Sequence, residues 1–293
     1  MPTPEWLAEQ FEQHRAHLRA VAYRMLGSAS EAEDAVQESW IRLGRTDVSV
    51  VENLRAWLTT VVARVCLDLL RTRSSRREES LDVHVPDPVV TRADADPESD
   101  AVLADSVGLA LLVVLETLEP AERLAFVLHD VFGMTFEEIA PIVDRSPVAA
   151  RQLASRARRR VQNNAPSADH DVRQQRPVIE AFMAAVRDGD FERLVAVLDP
   201  DIVLRADGGP LAGASRLVRG ARAVATQAAT FSRLGFSSQL VRVNGSLGVV
   251  SRRPDGRVFS VVGFTIAGGK VVEMDILADP ERLSRLDLSA IEG

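Results

Sequence analysis

The chain has 293 residues, enough for one large domain or two ordinary ones. It is 46% hydrophobic and 26% charged, which is typical of a globular protein and excludes a disordered one. An apolar run such as Leu109 to Leu115 is much shorter than the ~18 residues of a membrane helix, and the polar N-terminus is unlike a signal peptide. One cysteine and five scattered histidines form neither a disulfide framework nor a zinc-ligand spacing. We therefore expect a cytoplasmic protein without a metal or other cofactor.

The net charge of −7 is distributed unevenly along the chain. Residues 78–122 contain 12 acids and one base, whereas the rest of residues 1–163 contains 14 acids and 18 bases. Residues 164–293 contain 16 of each. Because two stretches with many bases flank one acidic stretch, the overall acidity does not exclude a nucleic-acid partner.

The first part of the chain, residues 1–77, has the pattern of a helical domain. Residues 31–43 can form one helix, with Ser30 as its N-cap and acids in its first turn. Residues 44–52 interrupt the pattern and predict a loop. From Asn53 to about Arg73, apolar residues recur at steps of three and four, which predicts a helix with one buried stripe. The stripe consists of Leu54, Trp57, Leu58, Val61, Val65 and Leu69.

Two polar stretches divide the chain. Residues 78–105 begin with a run rich in Pro, Asp, Glu and Ser and are predicted to form a flexible acidic linker. Residues 164–176 predict a second linker. The predicted domains are therefore residues 1–77, 106–163 and 177–293.

The middle domain carries start signals for two consecutive helices. Thr135 and Glu138 form a capping box, and Ser146 followed by Pro147 is a strong helix start. Residues 145–160 contain six arginines and no acid, which favours a helix that binds phosphates. Two helices joined by a tight turn, the second rich in arginine, predict a helix-turn-helix.

Two residues depart from the usual helix-turn-helix pattern. Pro141 lies inside the first helix, where it should bend or shorten that helix. Asp144 lies at the turn, where many such turns have Gly, and Asp can tolerate a left-handed conformation. We expect the start of the second helix to meet base edges in the major groove and its arginines to bind phosphates. The predicted DNA contacts are Ser146, Val148, Arg151, Gln152, Ser155, Arg156, Arg158 and Arg159.

From Pro177 the pattern changes to short helices and alternating strands. Helices are predicted over residues 178–187, 191–198 and 220–231. Strands are predicted over residues 201–205, 237–244, 247–252, 258–266 and 270–277, with hairpin signals such as Asn244-Gly245 between them. The fold class is therefore multidomain, with two all-α domains followed by an α+β domain.

Three strings in the helical domains carry a family resemblance. Residues 32–38 (AEDAVQE), with Trp40 and Leu43, resemble the core-polymerase-binding segment of sigma region two. Residues 53–71, from NLRAWL to LDLLR, resemble the promoter-reading segment that follows it. Residues 118–158, from LEP through EIA to RAR, resemble sigma region four. Over residues 8–162, the order and spacing resemble the extracytoplasmic-function class of sigma-70-family factors.

The resemblance implies an RNA polymerase sigma factor that directs promoter-specific transcription initiation. Core RNA polymerase would be contacted by Glu33, Asp34, Val36, Gln37 and Glu38. The loop over residues 44–52 would capture an unstacked base of the −10 element, and the helix over residues 146–161 would read the −35 element. Phosphates near the −10 element would be held by Arg55, Arg64, Arg71, Arg73, Arg76 and Arg77.

The C-terminal pattern resembles the SnoaL and ketosteroid-isomerase cone fold. A subgroup of these sigma factors carries such a domain, which looks like a built-in regulator that replaces an anti-sigma protein. Its Leu-Pro-Glu-Pro linker motif resembles residues 85–88 (VPDP), where Pro86, Asp87 and Pro88 are the predicted contacts.

Two further motifs of the subgroup lie in the domain itself. An Asp-Gly-Gly motif matches Asp207, Gly208 and Gly209, although Pro210 follows and no base does. Its Asn-Pro-Asp-Lys-Leu motif resembles residues 279–283 (DPERL), with Asp279 and Pro280 as predicted contacts. The resemblance implies that the C-terminal domain packs against the first domain or the linker.

Two alternatives stay open at this point. A helix-turn-helix regulator that is not a polymerase subunit would bind duplex DNA alone, usually as a homodimer. A cone-fold enzyme tethered to DNA would use Asp207 and Asp275 as acids in the cone. The isomerases of this fold use a Tyr and acids, but the only Tyr of the sequence is Tyr23, in the first domain, and no His follows His170, which weighs against the enzyme. The sequence indicates no membrane partner and identifies no ligand for the cone.

Overall fold

A computed structural model describes residues 4–46, 51, 53–77, 83–94, 108–164, 171–209, 214–231 and 234–292. The chain divides into two compact units. The first comprises Met1–Leu81 and Val114–Asn164, and the second comprises Asp82–Val113 and Ala165–Gly293. Among the described helices, none is both long and apolar enough to cross a membrane.

Helices account for the described N-terminal and middle parts of the chain. They are α1 (Pro4–Leu26), α2 (Ala29–Leu43), α3 (Leu54–Arg77), α4 (Leu109–Glu116), α5 (Pro120–Phe126), α6 (Phe136–Val143) and α7 (Pro147–Asn164). A π-helical turn, Val127–Val131, continues α5. The predicted N-cap of α2 is wrong by two residues, because the hydroxyl of Ser28 rather than Ser30 accepts the backbone N–H of Glu31. The predicted loop after α2 lies partly outside the described residues.

The buried stripe of α3 differs from the predicted one at its C-terminal end. Leu58 and Val65 are buried, but Leu69 is 38% exposed. The buried positions move around the helix to Val62 and Cys66, which lie in the core. Burial raises the pKa of the Cys66 thiol to about 12, so this cysteine is an inert core residue.

A buried arginine joins the two helical parts of the first unit. The guanidinium of Arg123, from α5, donates from Nε and Nη2 to the carbonyl of Arg24 in α1, at 3.3 and 3.2 Å. Its Nη1 lies 2.6 Å from a carboxylate oxygen of Glu116. Because the side chain of Arg123 is only 2% exposed, these contacts fix α5 against α1.

The helix-turn-helix prediction is confirmed in its local geometry. Thr135 and Glu138 form the capping box of α6. Asp144 ends α6 in the left-handed conformation, with φ of 56°, as the turn requires. The hydroxyl of Ser146 accepts the backbone N–H of Ala149 at 3.3 Å and so caps α7. Pro141 lies within α6, which continues to Val143.

The second unit is built on a seven-stranded sheet. Its strands are β1 (Val90–Arg92), β2 (Leu198–Asp207), β3 (Arg216–Arg219), β4 (Ser237–Val243), β5 (Ser246–Arg252), β6 (Val258–Ala267) and β7 (Lys270–Leu277). Their spatial order is β1-β4-β5-β6-β7-β2-β3, and the β2–β7 pair is the parallel one. The helices are α8 (Val172–Asp188), α9 (Phe191–Val197), α10 (Ala221–Phe231) and α11 (Pro280–Leu283), followed by a 3-10 turn (Ser289–Ile291).

Both predicted linkers differ from the structure. Within residues 78–105, Val90–Arg92 forms β1 and pairs antiparallel with β4, so this part is ordered strand. Within residues 164–176, α8 begins at Val172 after Asp171 as its N-cap. The short edge strand β3 also escaped prediction, because four residues give too little alternation to identify a strand.

The two faces of the sheet have different coverings. Leu204 of β2 and Met274 of β7 face the core that contains Phe182 of α8. Because strand residues alternate, Arg205 and Asp275 point to the opposite face. That opposite face carries a second core, in which Val85, which precedes β1, packs with residues of the sheet. The prediction that Asp207 and Asp275 are acids inside the cone is therefore wrong.

Candidate functional site

One arginine gathers the three motifs that the sequence analysis singled out. Arg282, in α11, lies with Nη1 2.6 Å from Oδ2 of Asp207 and with Nε 2.7 Å from Oδ1 of Asp87. Its Nη2 also donates to the carbonyl of Val85. The Arg282 side chain is only 17% exposed, so these charge-assisted hydrogen bonds lie in a partly dry site. We call Asp87, Asp207 and Arg282 the linker clasp.

Asp207 is the acid at the centre of the linker clasp. Its Oδ2 accepts the backbone N–H of Val85 at 3.0 Å and lies 3.3 Å from Nδ1 of His84. Burial acts to raise the pKa of Asp207. The hydrogen bonds from His84 and Val85, together with the charge of Arg282, outweigh burial and hold the pKa at about 2. Asp207 is therefore ionised at neutral pH.

The glycine motif and α11 fit together around a second acid. Oδ1 of Asp279 accepts the backbone N–H groups of Glu281 and Arg282, which starts α11 and sets the direction of Arg282. Gly209 has a φ of +89°, and a Cβ atom there would lie 2.7 Å from Oδ2 of Asp279. Glycine at 209 thus lets the loop after β2 approach the cap of α11. Pro280 occupies the first position of α11.

The linker lies on the sheet over a continuous stretch. Pro86 and Pro88 are buried beside Val85, which is fully buried. The backbone N–H of Val89 donates to Oδ1 of Asn244 at 3.0 Å, and the carbonyl of Val89 accepts the backbone N–H of Asn244 at 2.9 Å. Strand β1 follows at once, so backbone pairing and the linker clasp act on the same ten or so residues.

A second charged cluster lies on the same face of the sheet. Arg205 bonds to Asp275 at 3.2 Å and to Glu273 at 3.1 Å. Burial raises the pKa of Asp275 to about 6, although Arg205 opposes the shift. Because Arg205 of β2 bonds to both carboxylates of β7, this cluster fastens β2 to β7.

Helix α7 has an exposed face and two arginines that bond to acids outside the helix. Val148 is 66% exposed, and Arg151, Gln152 and Arg159 are also exposed. Arg156 instead bonds through Nε to the buried carboxylate of Glu122 at 2.8 Å. Arg158 bonds to Asp130 at 2.6 Å.

Three known family models match separate stretches that together cover most of the chain. The model of Sigma-70 region 2 matches residues 10–76, that of Sigma-70 region 4 matches residues 108–161, and that of the SnoaL-like domain matches residues 179–275. The ECF RNA polymerase sigma factor SigJ of Mycobacterium tuberculosis is 40% identical over 94% of this chain and 92% of its own length. The chain belongs to the extracytoplasmic-function sigma factors.

Two further comparisons agree with this family membership. The probable ECF RNA polymerase sigma factor SigI of M. tuberculosis is 36% identical over 93% of both chains. The crystal structure of M. tuberculosis SigJ covers 96% of this chain and 99% of its own, with 37% identity and a TM-score of 0.76. The predicted function as an RNA polymerase sigma factor for promoter-specific initiation is thereby confirmed, as is the predicted fold class.

Helix α2 of this sigma factor presents only part of its predicted polymerase-binding set. Val36 is only 1% exposed, although it lines the groove between α1 and α2, and its role as a polymerase contact stays a prediction. Asp34 and Gln37 are exposed, whereas Glu33 is paired with Arg15. Glu38 bonds to Arg42 at 2.9 Å along the helix.

The exposed edge of α2 contains apolar residues that the prediction did not include. Trp40 is 37% exposed and Ile41 is 46% exposed. They line a groove of about 310 Å³ between α1 and α2, beside Gln37 and Phe11. The step of three and four from Gln37 to Trp40 and Ile41 is the sequence signal that identifies this face.

The arginines predicted to hold phosphates near the −10 element fall into two groups. Arg55 and Arg71 are exposed on α3. Arg64 is also exposed, but its Nη2 donates to the carbonyl of Pro141 in α6 at 3.2 Å. Arg73 is half-buried, pairs with Glu31 and donates to the carbonyl of Leu26 at 2.9 Å, so it supports the packing of α3. The side chains of Arg76 and Arg77 lie outside the described residues.

Sequence reasoning missed Arg282, His84 and Asn244 as functional residues. Arg282 carried a signal, because it takes the place of the lysine in the Asn-Pro-Asp-Lys-Leu motif. His84 and Asn244 carried none, since their roles depend on strands that meet far along the chain. Among the described residues, no group of three or more His, Cys, Asp or Glu is arranged to hold a metal ion.

Proposed function

We propose that this sigma factor is regulated by its own C-terminal domain, which holds the linker between regions two and four. The observation that carries the proposal is the linker clasp, in which Arg282 bonds to Asp87 of the linker and Asp207 of the sheet. The clasp and the β1–β4 pairing restrict residues 83–94. A restricted linker limits how far apart the two promoter-binding regions can move.

The length of a promoter makes this restriction important. The −10 and −35 elements are about 25 base pairs apart, or about 85 Å at 3.4 Å per base pair. In the first unit, Arg64 of α3 lies in hydrogen-bond contact with Pro141 of α6, so the two DNA-binding regions adjoin. They must separate before each can engage its own promoter element. We infer that release of the linker favours this separation.

The proposed contacts follow from exposure. Core RNA polymerase binds the exposed edge of α2, with Asp34, Gln37, Trp40 and Ile41 as the main contacts and Glu33 and Glu38 beside them. Arg55 and Arg71 hold phosphates near the −10 element, and Arg64 joins them when α3 leaves α6. Val148, Arg151, Gln152, Ser155 and Arg159 of α7 face the −35 element, while Arg156 and Arg158 position α7 through their acid partners.

We further propose that the C-terminal domain is a binding module and not an enzyme. Asp207 and Asp275 both bond to arginines and lie on the face of the sheet opposite α8, α9 and α10. Neither is available as a general base in a pocket between sheet and helices. Because the protein would act together with core RNA polymerase, we also propose a cytoplasmic location.

Run-off transcription with core RNA polymerase tests the proposal. We would compare the full-length protein with Arg282→Gln and Asp87→Asn on a promoter that gives a discrete transcript. Both variants should change transcript yield severalfold and in the same direction, because each opens the same linker clasp. The sign of the change shows whether the clasp inhibits or supports initiation.

Arg285→Gln is the matched control, since Arg285 pairs with Glu281 on the exposed side of α11. Its transcript yield should equal that of the wild type. Unchanged yield in both clasp variants, with wild-type binding to core polymerase, would overturn the proposed regulation. Point variants change the linker clasp alone, whereas removal of the C-terminal domain would also expose Val85 and the other linker residues that pack on it.

A further inference from the structure

A large groove lies beside α11 and is lined by none of the three residues of the linker clasp. It measures about 760 Å³ and runs between the β5–β6 hairpin and the C-terminal segment after β7. Small-molecule sites typically have volumes of roughly 300–1,000 Å³. Pro280, Leu283 and Ser284 form part of one wall, so the groove and the clasp share α11.

The hairpin wall of the groove is basic. Arg252, Arg253 and Arg257 line it within six residues of sequence. Arg257 is largely exposed and lies 3.9 Å from Asp255 at the hairpin tip. Nη1 of Arg252 donates to the carbonyl of Gly256, which keeps the guanidinium at the hairpin.

The C-terminal wall contributes two acids, Asp287 and Glu292. The carboxylate of Asp287 accepts the backbone N–H and the hydroxyl of Ser289, at 3.1 and 2.6 Å. The carboxylate of Asp287 thus caps the 3-10 turn that begins at Ser289. The three arginines lie on the hairpin wall and the two lining acids on the C-terminal wall, while Asp255 at the hairpin tip offsets part of the hairpin's positive charge.

The base of the groove is apolar and aromatic. Phe259 lines it together with Val258 and Leu286. The Phe259 ring lies 4.5 Å from that of Phe236, between ring centres, and the guanidinium of Arg253 lies 5.3 Å above it. This arrangement offers an apolar surface with cations at its edge, which suits a ligand with an apolar body and an anionic head.

The space between the helices and the sheet offers less to a ligand. Phe182 and Phe264 meet there edge to face, with ring centres 5.4 Å apart, and Met274 joins the same core. These three side chains occupy part of the region where this fold commonly encloses a pocket. The groove beside α11 is the better candidate for a ligand site on this domain.

We infer that the groove between the β5–β6 hairpin and the C-terminal segment binds a small amphipathic anion. Arg252 and Arg257 bind its anionic head, and Phe259 with Val258 contacts its apolar body. Because α11 forms one wall of the groove and supplies Arg282 to the clasp, binding changes the strength of the clasp. This coupling rests on the proposed regulatory function, whereas the ligand site stands without it.

Fluorescence titration with 8-anilinonaphthalene-1-sulfonate, an aromatic anion, tests the site in the full-length protein. Arg252→Gln and Arg257→Gln should each weaken its binding roughly threefold, and the double variant about tenfold, because exposed charges contribute modestly. Arg219→Gln, an exposed arginine on β3 outside the groove, is the control and should bind like the wild type. The uncharged N-phenyl-1-naphthylamine should bind the wild type and the double variant equally.

Several outcomes would overturn the ligand site. One is wild-type affinity for the sulfonate in the double variant. Another is an equal loss of both probes, which would indicate lost apolar surface. A third is a dimer of the wild type, detected by light scattering, that the double variant no longer forms while its probe binding is unchanged. In that case the groove would be covered by a second copy of the chain and not by a small anion.

Amide hydrogen exchange over residues 83–94, with and without the sulfonate probe, tests the coupling separately. A change in exchange that disappears in the Arg252→Gln/Arg257→Gln variant supports the coupling. Saturated probe binding with unchanged exchange would overturn the coupling and leave the ligand site in place. Failure of the transcription test with intact probe binding would instead count against the proposed regulation alone.

Discussion

Nη1 of Arg282 lies 2.6 Å from Oδ2 of Asp207, although 75 residues separate them along the chain. The same guanidinium reaches Asp87, which lies 195 residues away. A single side chain thus connects the linker, the end of β2 and the C-terminal helix. All three side chains are mostly buried, and Arg282 carries the charge opposite to that of the two acids. Removal of Arg282 therefore takes a charged hydrogen-bond partner from both Asp87 and Asp207.

The first prediction concerns the energetic coupling within the linker clasp. A double-mutant cycle of Asp87→Asn and Arg282→Gln should give a coupling free energy of about 1–3 kcal/mol, because the two side chains share hydrogen bonds in a partly dry site. Amide exchange at Val85 and Val89 is the measurement, since both N–H groups donate within the docked linker. The tryptophans and the single tyrosine all lie in residues 6–57, so intrinsic fluorescence would miss this event.

The exposed pair of Glu281 and Arg285 supplies the reference cycle. Its coupling should be about 0–0.5 kcal/mol, as is usual for exposed pairs along a helix. Equal coupling in the two cycles would contradict a special role for the clasp.

The second prediction concerns acid. The pKa of Asp207 is about 2 in the folded protein, below the ordinary value of about 3.9. The folded state thus binds fewer protons, so Asp207 contributes about 2 kcal/mol that is fully present above about pH 4. That contribution is lost as the pH falls through about 2. Unfolding followed by circular dichroism should show a steeper loss of stability on acidification for the wild type than for Asp207→Asn; parallel curves would contradict the assignment.

The third prediction concerns Gly209. Gly209→Ala should destabilise the second unit by about 2–4 kcal/mol, because the new Cβ meets Oδ2 of Asp279 and the backbone needs a positive φ. Gly256→Ala is the matched control, since Gly256 has a φ of +83° but open space around its Cβ position. Thermal unfolding should separate the two variants, and equal shifts would show that backbone conformation alone is the cause.

The fourth prediction concerns the Arg205 cluster. Arg205→Met should cost about 3–5 kcal/mol at neutral pH, because it leaves Asp275 and Glu273 buried without a cation. Burial raises the pKa of Asp275 to about 6 even beside Arg205, and loss of that cation raises the pKa further, so protonation relieves this penalty in the variant as the pH falls. The variant should therefore lose less stability at about pH 5 than at about pH 8. Arg193→Met, which removes an exposed pair with Asp188, should show little loss at either pH.

The fifth prediction separates two roles within α7. Gln152→Ala should relax base preference within the −35 element and cost about 1–3 kcal/mol on the preferred sequence. Arg159→Gln should weaken binding to all sequences about equally and lower its salt dependence, because an exposed arginine contacts phosphate. Transcription from a set of −35 variants at two salt concentrations distinguishes them. Identical patterns for both variants would contradict this division of roles.

Local signals in the sequence were sufficient for the helix-turn-helix and for most of the C-terminal strands. The capping box of Thr135 and Glu138, the left-handed turn at Asp144 and the start at Ser146 each act within a few residues. The hairpin turns likewise determine that β4 pairs with β5, β5 with β6 and β6 with β7. Such features are readable without a structure, because their causes lie within one turn or one hairpin.

Tertiary structure alone decided which residues face which partner. It buried Val36 and directed Arg156 and Arg158 towards acids. It also placed Asp207 and Asp275 on the face of the sheet opposite α8, α9 and α10. It also made strand β1 out of a segment whose composition predicts a flexible linker. The physical reason is that burial, strand register and ion pairing depend on groups far apart in sequence, and these meet only when the sheet has formed.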